Sequence, residues 1–129
     1  MPIDPYISAI EIARAYENGD TSAQEVIDTL LARISRYDAK LGAFQTIYAE
    51  EARDAAAAVD KAIGAGHQVG PFHGIPFALK DIIDVEGKIT TGGSKAMENR
   101  VSPYTGTVAR RLISAGGILI GKTKTVELA

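Results

Sequence analysis

Apolar residues recur at helical spacing through the first half of the chain and gather into short uninterrupted runs in the second. Ser8 with Glu11 has the pattern of a capping box, and Ile10, Ala13 and Tyr16 follow at three-residue steps until Gly19. Ser22 with Glu25 repeats the signal. Val26, Ile27, Leu30, Leu31 and Ile34 then form one apolar face opposite Asp28, Arg33 and Arg36, and Gly42 ends the run. Phe44 to Tyr48 reads as a short strand or an extended link. Ala49 to Ile63 reads as a third helix, packed closely through small side chains and closed by Gly64 and Gly66.

From His67 onward the texture changes. Gly70 to Pro76 is a turn-rich approach, because its Pro and Gly residues resist a regular element. Phe77-Ala78-Leu79-Lys80 reads as a short, largely buried strand, and Asp84 to Gly93 as a Gly/Thr-rich loop. Thr107 to Ala115 is predicted to be a helix with Val108, Leu112 and Ile113 on its apolar side. Gly116 and Gly117 break it, and Ile118-Leu119-Ile120 is a buried strand. This alternation predicts an α/β fold, with N-terminal helices over residues 1–66 and the start of a sheet covered by helices over 67–129. The sheet would have an open edge where the chain stops, shortly after its last strand, which reads as a truncation.

Composition narrows the function classes. With 129 residues, 46% hydrophobic, 23% charged and a net charge of −2, the chain is neither a disordered tail nor a bulk polyanion binder. The charge is uneven: residues 1–61 carry 6 basic and 11 acidic side chains, and residues 62–129 carry 8 and 5. No run approaches the roughly 20 apolar residues of a membrane span, and Met1 to Ala15 lacks the pattern of a secretory signal. The absence of cysteine removes disulfides, thiolate metal sites and a thiol nucleophile, and fits the expected cytoplasmic location.

Several motifs have an ordinary reading. Gly116 and Gly121-Lys122-Thr123 match a phosphate-binding loop formally. That mechanism needs a strand before the first glycine and a pliant loop after it, whereas here a helix precedes and a strand intervenes. His67 and His73 lack a third metal ligand at suitable spacing. Asp81, Asp84 and Glu86 lack the spacing of a calcium loop and read as solvated loop carboxylates. Arg110-Arg111 reads as a solvent face, and no nucleic-acid surface is indicated. Lys80 stands apart. It closes a core strand, and a lysine in poor solvent loses stabilisation of its charge, so it can serve as a base toward a serine hydroxyl. The alternative is an ammonium that reaches water or pairs with Asp81. Ser94, on the Gly loop, could approach Lys80, but more simply makes loop hydrogen bonds.

The stretch Gly74-Ile75-Pro76-Phe77-Ala78-Leu79-Lys80-Asp81-Ile82-Ile83-Asp84-Val85-Glu86-Gly87 strongly resembles the amidase signature family. So do Thr90-Thr91-Gly92-Gly93-Ser94-Lys95-Ala96, Thr107-Val108-Ala109-Arg110-Arg111-Leu112 and Ala115-Gly116-Gly117-Ile118-Leu119-Ile120-Gly121-Lys122-Thr123, in the family's order. The resemblance implies the N-terminal part of a single amidase domain whose mixed sheet is flanked by helices. It also implies a small-molecule amide substrate and a Ser-cisSer-Lys triad, with no cofactor and no metal. Lys80 matches the family's lysine, the base that accepts the nucleophile's proton through a bridging serine. Both serines and the oxyanion donors belong to a downstream Gly/Ser-rich block that this sequence does not contain. The 129 residues alone are therefore expected to be inactive, covered by the rest of an amidase chain or by a second copy. Tyr104-Thr105-Gly106 and Lys124-Thr125 depart from the family's usual residues, with Glu127 retained, and these departures bear on subfamily and substrate. A close variant of this reading is an amidotransferase subunit that releases ammonia for tRNA-dependent amidation. A different one is a non-catalytic interaction module derived from an amidase.

Overall fold

The computed structural model describes residues 3–67 and 72–129. Helices α1 (Ala9–Asn18) and α2 (Ala23–Leu41) each begin with the expected capping box, Ser8 with Glu11 and Ser22 with Glu25, and each stops at a left-handed glycine, Gly19 and Gly42. Strand β1 (Phe44–Ile47) resolves the strand-or-link alternative, and α3 (Ala49–Gly64) follows it directly. Of the turn-rich approach, Gly70 and Pro71 lie outside the described residues. Strand β2 (Pro76–Lys80) leads through a long loop with one short 3-10 turn (Lys95–Met97) into α4 (Thr107–Ser114) and then β3 (Ile118–Thr123). Among the described residues no helix is long and apolar enough to cross a membrane.

The sheet is mixed, as the resemblance implied, in the order β1-β3-β2: β1 runs antiparallel to β3, and β2 parallel to it. A parallel pair needs a crossover, and the long loop with α4 supplies it. The two faces of the sheet carry separate cores. Ile75, Ile118 and Ile120 pack with Ile12, Tyr16, Val26, Ile27, Ala52 and Ala56 of the N-terminal helices. Leu79, Val85 and Ala109 pack with Phe77, Ile83, Leu112 and Leu119 on the other side.

The register of β3 against β2 slips between Phe77 and Ala78, whose partners are Leu119 and Gly121. One extra residue on β3, Ile120, is absorbed as a bulge, and such a step reverses which face later side chains occupy. Lys122 is thereby paired with Leu79 and shares its face, away from the face of Ile118 and Ile120.

Two expectations need correction. Strand β2 is not largely buried: Leu79 is, whereas Ala78 and Lys80 are exposed, because β2 is an edge strand and its outer residues face away from α4. Helix α4 does not bury Val108 and Ile113, which are 57% and 43% exposed; Ala109 is the residue pressed against the second core, since a small side chain allows the helix to approach closely. As expected, the formal phosphate-loop residues Gly121-Lys122-Thr123 end β3 and form no loop.

Gly121 sits where β1 crosses close to β3. A Cβ there would lie 2.3 Å from the Thr46 carbonyl oxygen and 3.1 Å from Ile47 Cα, both backbone atoms that cannot swing aside. Gly121→Ala is expected to cost about 3 kcal/mol or more by forcing the two strands apart. Urea unfolding measures this, and a midpoint unchanged from wild type would show that β1 yields freely.

Candidate active site

Lys80 is the last residue of β2, and the chain turns there into the crossover loop. In open α/β sheets this is the end of a parallel strand where ligands bind. By strand alternation the Lys80 side chain leaves the sheet on the face opposite Leu79. It is exposed and makes no hydrogen bond or ion pair among the described residues. Of the two alternatives, the Lys80 ammonium reaches water and does not pair with Asp81, because adjacent residues point to opposite sides. The expected burial of Lys80 is also absent, since the helices on that face pack over β3 and leave Ala78 and Lys80 exposed.

The buried lysine is Lys122, with no solvent exposure, and beside it Asp81 is 1% exposed. Their charged atoms lie 3.6 Å apart. Lys122 Nζ donates to Thr90 Oγ1 at 2.9 Å, and burial pushes its ammonium below the ordinary range while Asp81 opposes that shift. The Asp81 carboxylate accepts from both the backbone N–H and the hydroxyl of Thr91. The network continues outward. The hydroxyls of Thr90 and Ser102 are 3.0 Å apart, Ser102 donates to Asp84, and Arg100 grips Asp84 with two bonds of 2.7 and 3.1 Å. Asp81 and Asp84 are thus structural anchors of the crossover loop, and only Glu86 of that trio is the solvated carboxylate expected. Sequence reasoning missed the pair. The signal was available: Lys122 stands inside a run of apolar and small residues that otherwise reads as a central strand.

The Arg100 guanidinium, with help from the Ser102 hydroxyl, holds Asp84 well below the usual carboxylate range against the opposing effect of burial. A carboxylate whose folded-state pKa is depressed adds stability that is fully present above its unfolded value, near 4, and is lost as pH falls further. Asp84→Asn is therefore expected to lower the melting temperature at pH 7 and to narrow its gap from wild type as pH drops from about 5 toward 3. A gap that stays constant over that range would remove Asp84 from the acid response.

Ser94 is nearly buried, and its hydroxyl donates to Glu127 at 3.0 Å, so it makes a loop hydrogen bond and does not meet Lys80. Arg110 and Arg111 are exposed, as expected of a solvent face. His73 is buried and His67 exposed, and among the described residues no group of three acidic or histidine side chains could hold a metal ion.

The amidase family model matches residues 25–129. The chain belongs to the amidase signature family. Over 122 residues it is 43% identical to the glutamyl-tRNA(Gln) amidotransferase A subunit of Protochlamydia amoebophila, covering 95% of this chain and 25% of that protein. It is 42% identical over 119 residues to the protein of the same name from Halorhodospira halophila, covering 92% and 24%. Among solved structures it is similar to the peptide amidase of Stenotrophomonas maltophilia, with 29% identity and a TM-score of 0.85 over 92% of this chain and 24% of that one. A bacterial aryl acylamidase of the amidase signature family superposes with a TM-score of 0.89 at 27% identity, over 95% and 26%. The chain spans about a quarter of the length of the relatives it matches. The α/β architecture expected of an amidase is the one observed.

Proposed function

We propose that this chain supplies the general base of an enzyme that cleaves a carboxylic amide, and that Lys80 is that base. The observation that carries the reading is the place of Lys80, which matches the family's lysine and ends a strand parallel to β3, next to a residue fixed in the interior. In this reading neutral Lys80 takes the proton of a nucleophilic serine through a bridging serine. The serine oxygen attacks the amide carbon, the proton passes to the departing amine as the C–N bond breaks, and water then hydrolyses the acyl ester. An ammonium gives up its proton readily only where water is excluded. The mechanism therefore needs the exposed face around Ala78 and Lys80 to be covered, by further chain of the same domain or by a second copy.

Among the described residues no hydroxyl is hydrogen-bonded to Lys80, so these 129 residues alone are expected to hydrolyse no amide: a base without nucleophile or oxyanion donors supplies little rate. The reading is tested by assaying the full-length protein bearing this chain against glutamine, benzamide and an acyl p-nitroanilide, with and without Lys80→Met. Equal turnover by the two proteins would end the assignment.

A second reading is favoured by the relatives' shared name. At 42–43% identity to amidotransferase A subunits, the chain could belong to a subunit that releases ammonia from glutamine for amidation of a tRNA-bound glutamyl group. Glutaminase activity that depends on co-purifying subunits would favour this reading, and turnover of aryl or peptide amides by a single polypeptide would favour the first.

A further inference from the structure

A base at the end of an edge strand keeps its place only if that strand end is held, and β2 has a sheet neighbour on one side alone among the described residues. Asp81 provides the hold from three directions. Its N–H donates to the Thr123 carbonyl of β3 at 2.9 Å, and its own carbonyl accepts from the Gly92 N–H at 2.9 Å. Its carboxylate is clamped by Thr91 and faces Lys122. We infer that the buried Asp81–Lys122 pair, acting through the Thr91 clamp, positions Lys80; the inference rests on the reading of Lys80 as the base.

The physical argument starts from what such a pair is not good for. Moving two charges out of water costs about as much as their attraction returns, and a well-packed apolar pair of similar shape often stabilises a fold equally. A hydrogen-bonded carboxylate does something an apolar side chain cannot, which is to fix direction. Asp81 is joined to Lys80 by one planar peptide unit, so the position of the Asp81 backbone constrains that of Lys80. A misplacement of about 1 Å at a reacting group can cost about 100-fold in rate. The pair does not touch the Lys80 amine, which leaves on the opposite face, so its role is positioning and not chemistry. The rest of the network serves the same end: Thr90, Ser102, Asp84 and Arg100 tie Lys122 to the surface of the loop.

The test uses the full-length protein bearing this chain and the three amides above. The double variant Asp81→Asn/Lys122→Met removes both charges and leaves no buried charge without its counter-ion. It is expected to melt within a few degrees of wild type, while kcat falls about 10- to 100-fold and KM stays within about twofold. Thr91→Val leaves both charges in place and is expected to lower kcat about threefold to tenfold at unchanged KM, and Thr91→Ser, which keeps the hydroxyl, should restore it. A folded double variant with wild-type kcat overturns the inference, as does a loss confined to KM. If the double variant does not fold, Thr91→Val decides alone, and wild-type kcat in that variant overturns the inference. Lys80→Met separates the two claims. Lost turnover in Lys80→Met with normal turnover in the other variants removes only the positioning role. Unchanged turnover in Lys80→Met, or no turnover of any amide by wild type, removes the catalytic reading and this inference with it.

Discussion

Lys80→Met in the full-length protein is expected to lower kcat for amide hydrolysis by about 10³-fold or more, with KM and melting temperature close to wild type. General acid–base catalysis contributes about 10²- to 10⁴-fold. Here the same amine would both take a proton from the nucleophile and pass one to the leaving group, so its removal affects two steps. Stability should be spared because the Lys80 side chain makes no hydrogen bond or ion pair among the described residues, and a side chain of similar length takes its place where that face is covered. Methionine keeps the length and apolar stem of lysine while removing the proton acceptor. A fall in kcat accompanied by an equal fall in melting temperature would point to lost packing. A loss of less than tenfold would show that another group serves as the base.

Lys122→Ala is expected to have the largest effect on the fold, about 3–5 kcal/mol. Removing one member of a buried ion pair leaves the other charged or forces it to take up a proton, and either course costs that much. Asp81 would lose the only cation within salt-bridge distance of its carboxylate among the described residues, and Thr90 the donor to its hydroxyl. The alanine also opens a cavity where the lysine stem had been, on the face shared with Leu79. The measurement is urea unfolding with the slope held constant, so that a lower midpoint reports stability and not a change in the unfolded state. A loss below about 1 kcal/mol would show that neither the ion pair nor the packing of the lysine stem holds this part of the fold. The contrast between the two lysines is the useful result. One is expected to govern rate and leave stability alone, and the other governs stability first.

Much of the helical half was legible. The capping boxes at Ser8 and Ser22 and the stops at Gly19 and Gly42 are local signals, and local hydrogen bonds decide where such helices begin and end. The apolar stripe on α2 was readable for the same reason: its periodicity is written within one element, and Val26, Ile27 and Leu31 are buried as expected. The candidate site was legible in identity and not in environment. Lys80 was found from its place after the Gly-Ile-Pro turn, but its burial was inferred from Phe77, Ala78 and Leu79, which are neighbours in sequence. Burial depends on what stacks against each face, and among the described residues β2 is an edge strand whose Ala78 and Lys80 lie exposed.

The polar interior shows the limit more sharply. Asp81 and Asp84 look in sequence like any loop carboxylates, and only Lys122, inside its apolar run, carried a signal of burial. Their roles arise because the extra residue at Ile120 turns Lys122 toward the crossover loop, and because that loop folds back to bring Thr90, Thr91 and Arg100 against them.

By itself the sequence determined the helices, the order of elements, the α/β class and the lysine that matches the family, since each is encoded over a few adjacent residues or one contiguous motif. Only the tertiary structure decided which lysine is buried, which carboxylates are anchors and which residues of β2 lie exposed. Those outcomes depend on strand register and on contacts between segments far apart in the chain, where a slip of one residue moves a side chain from one side of the sheet to the other.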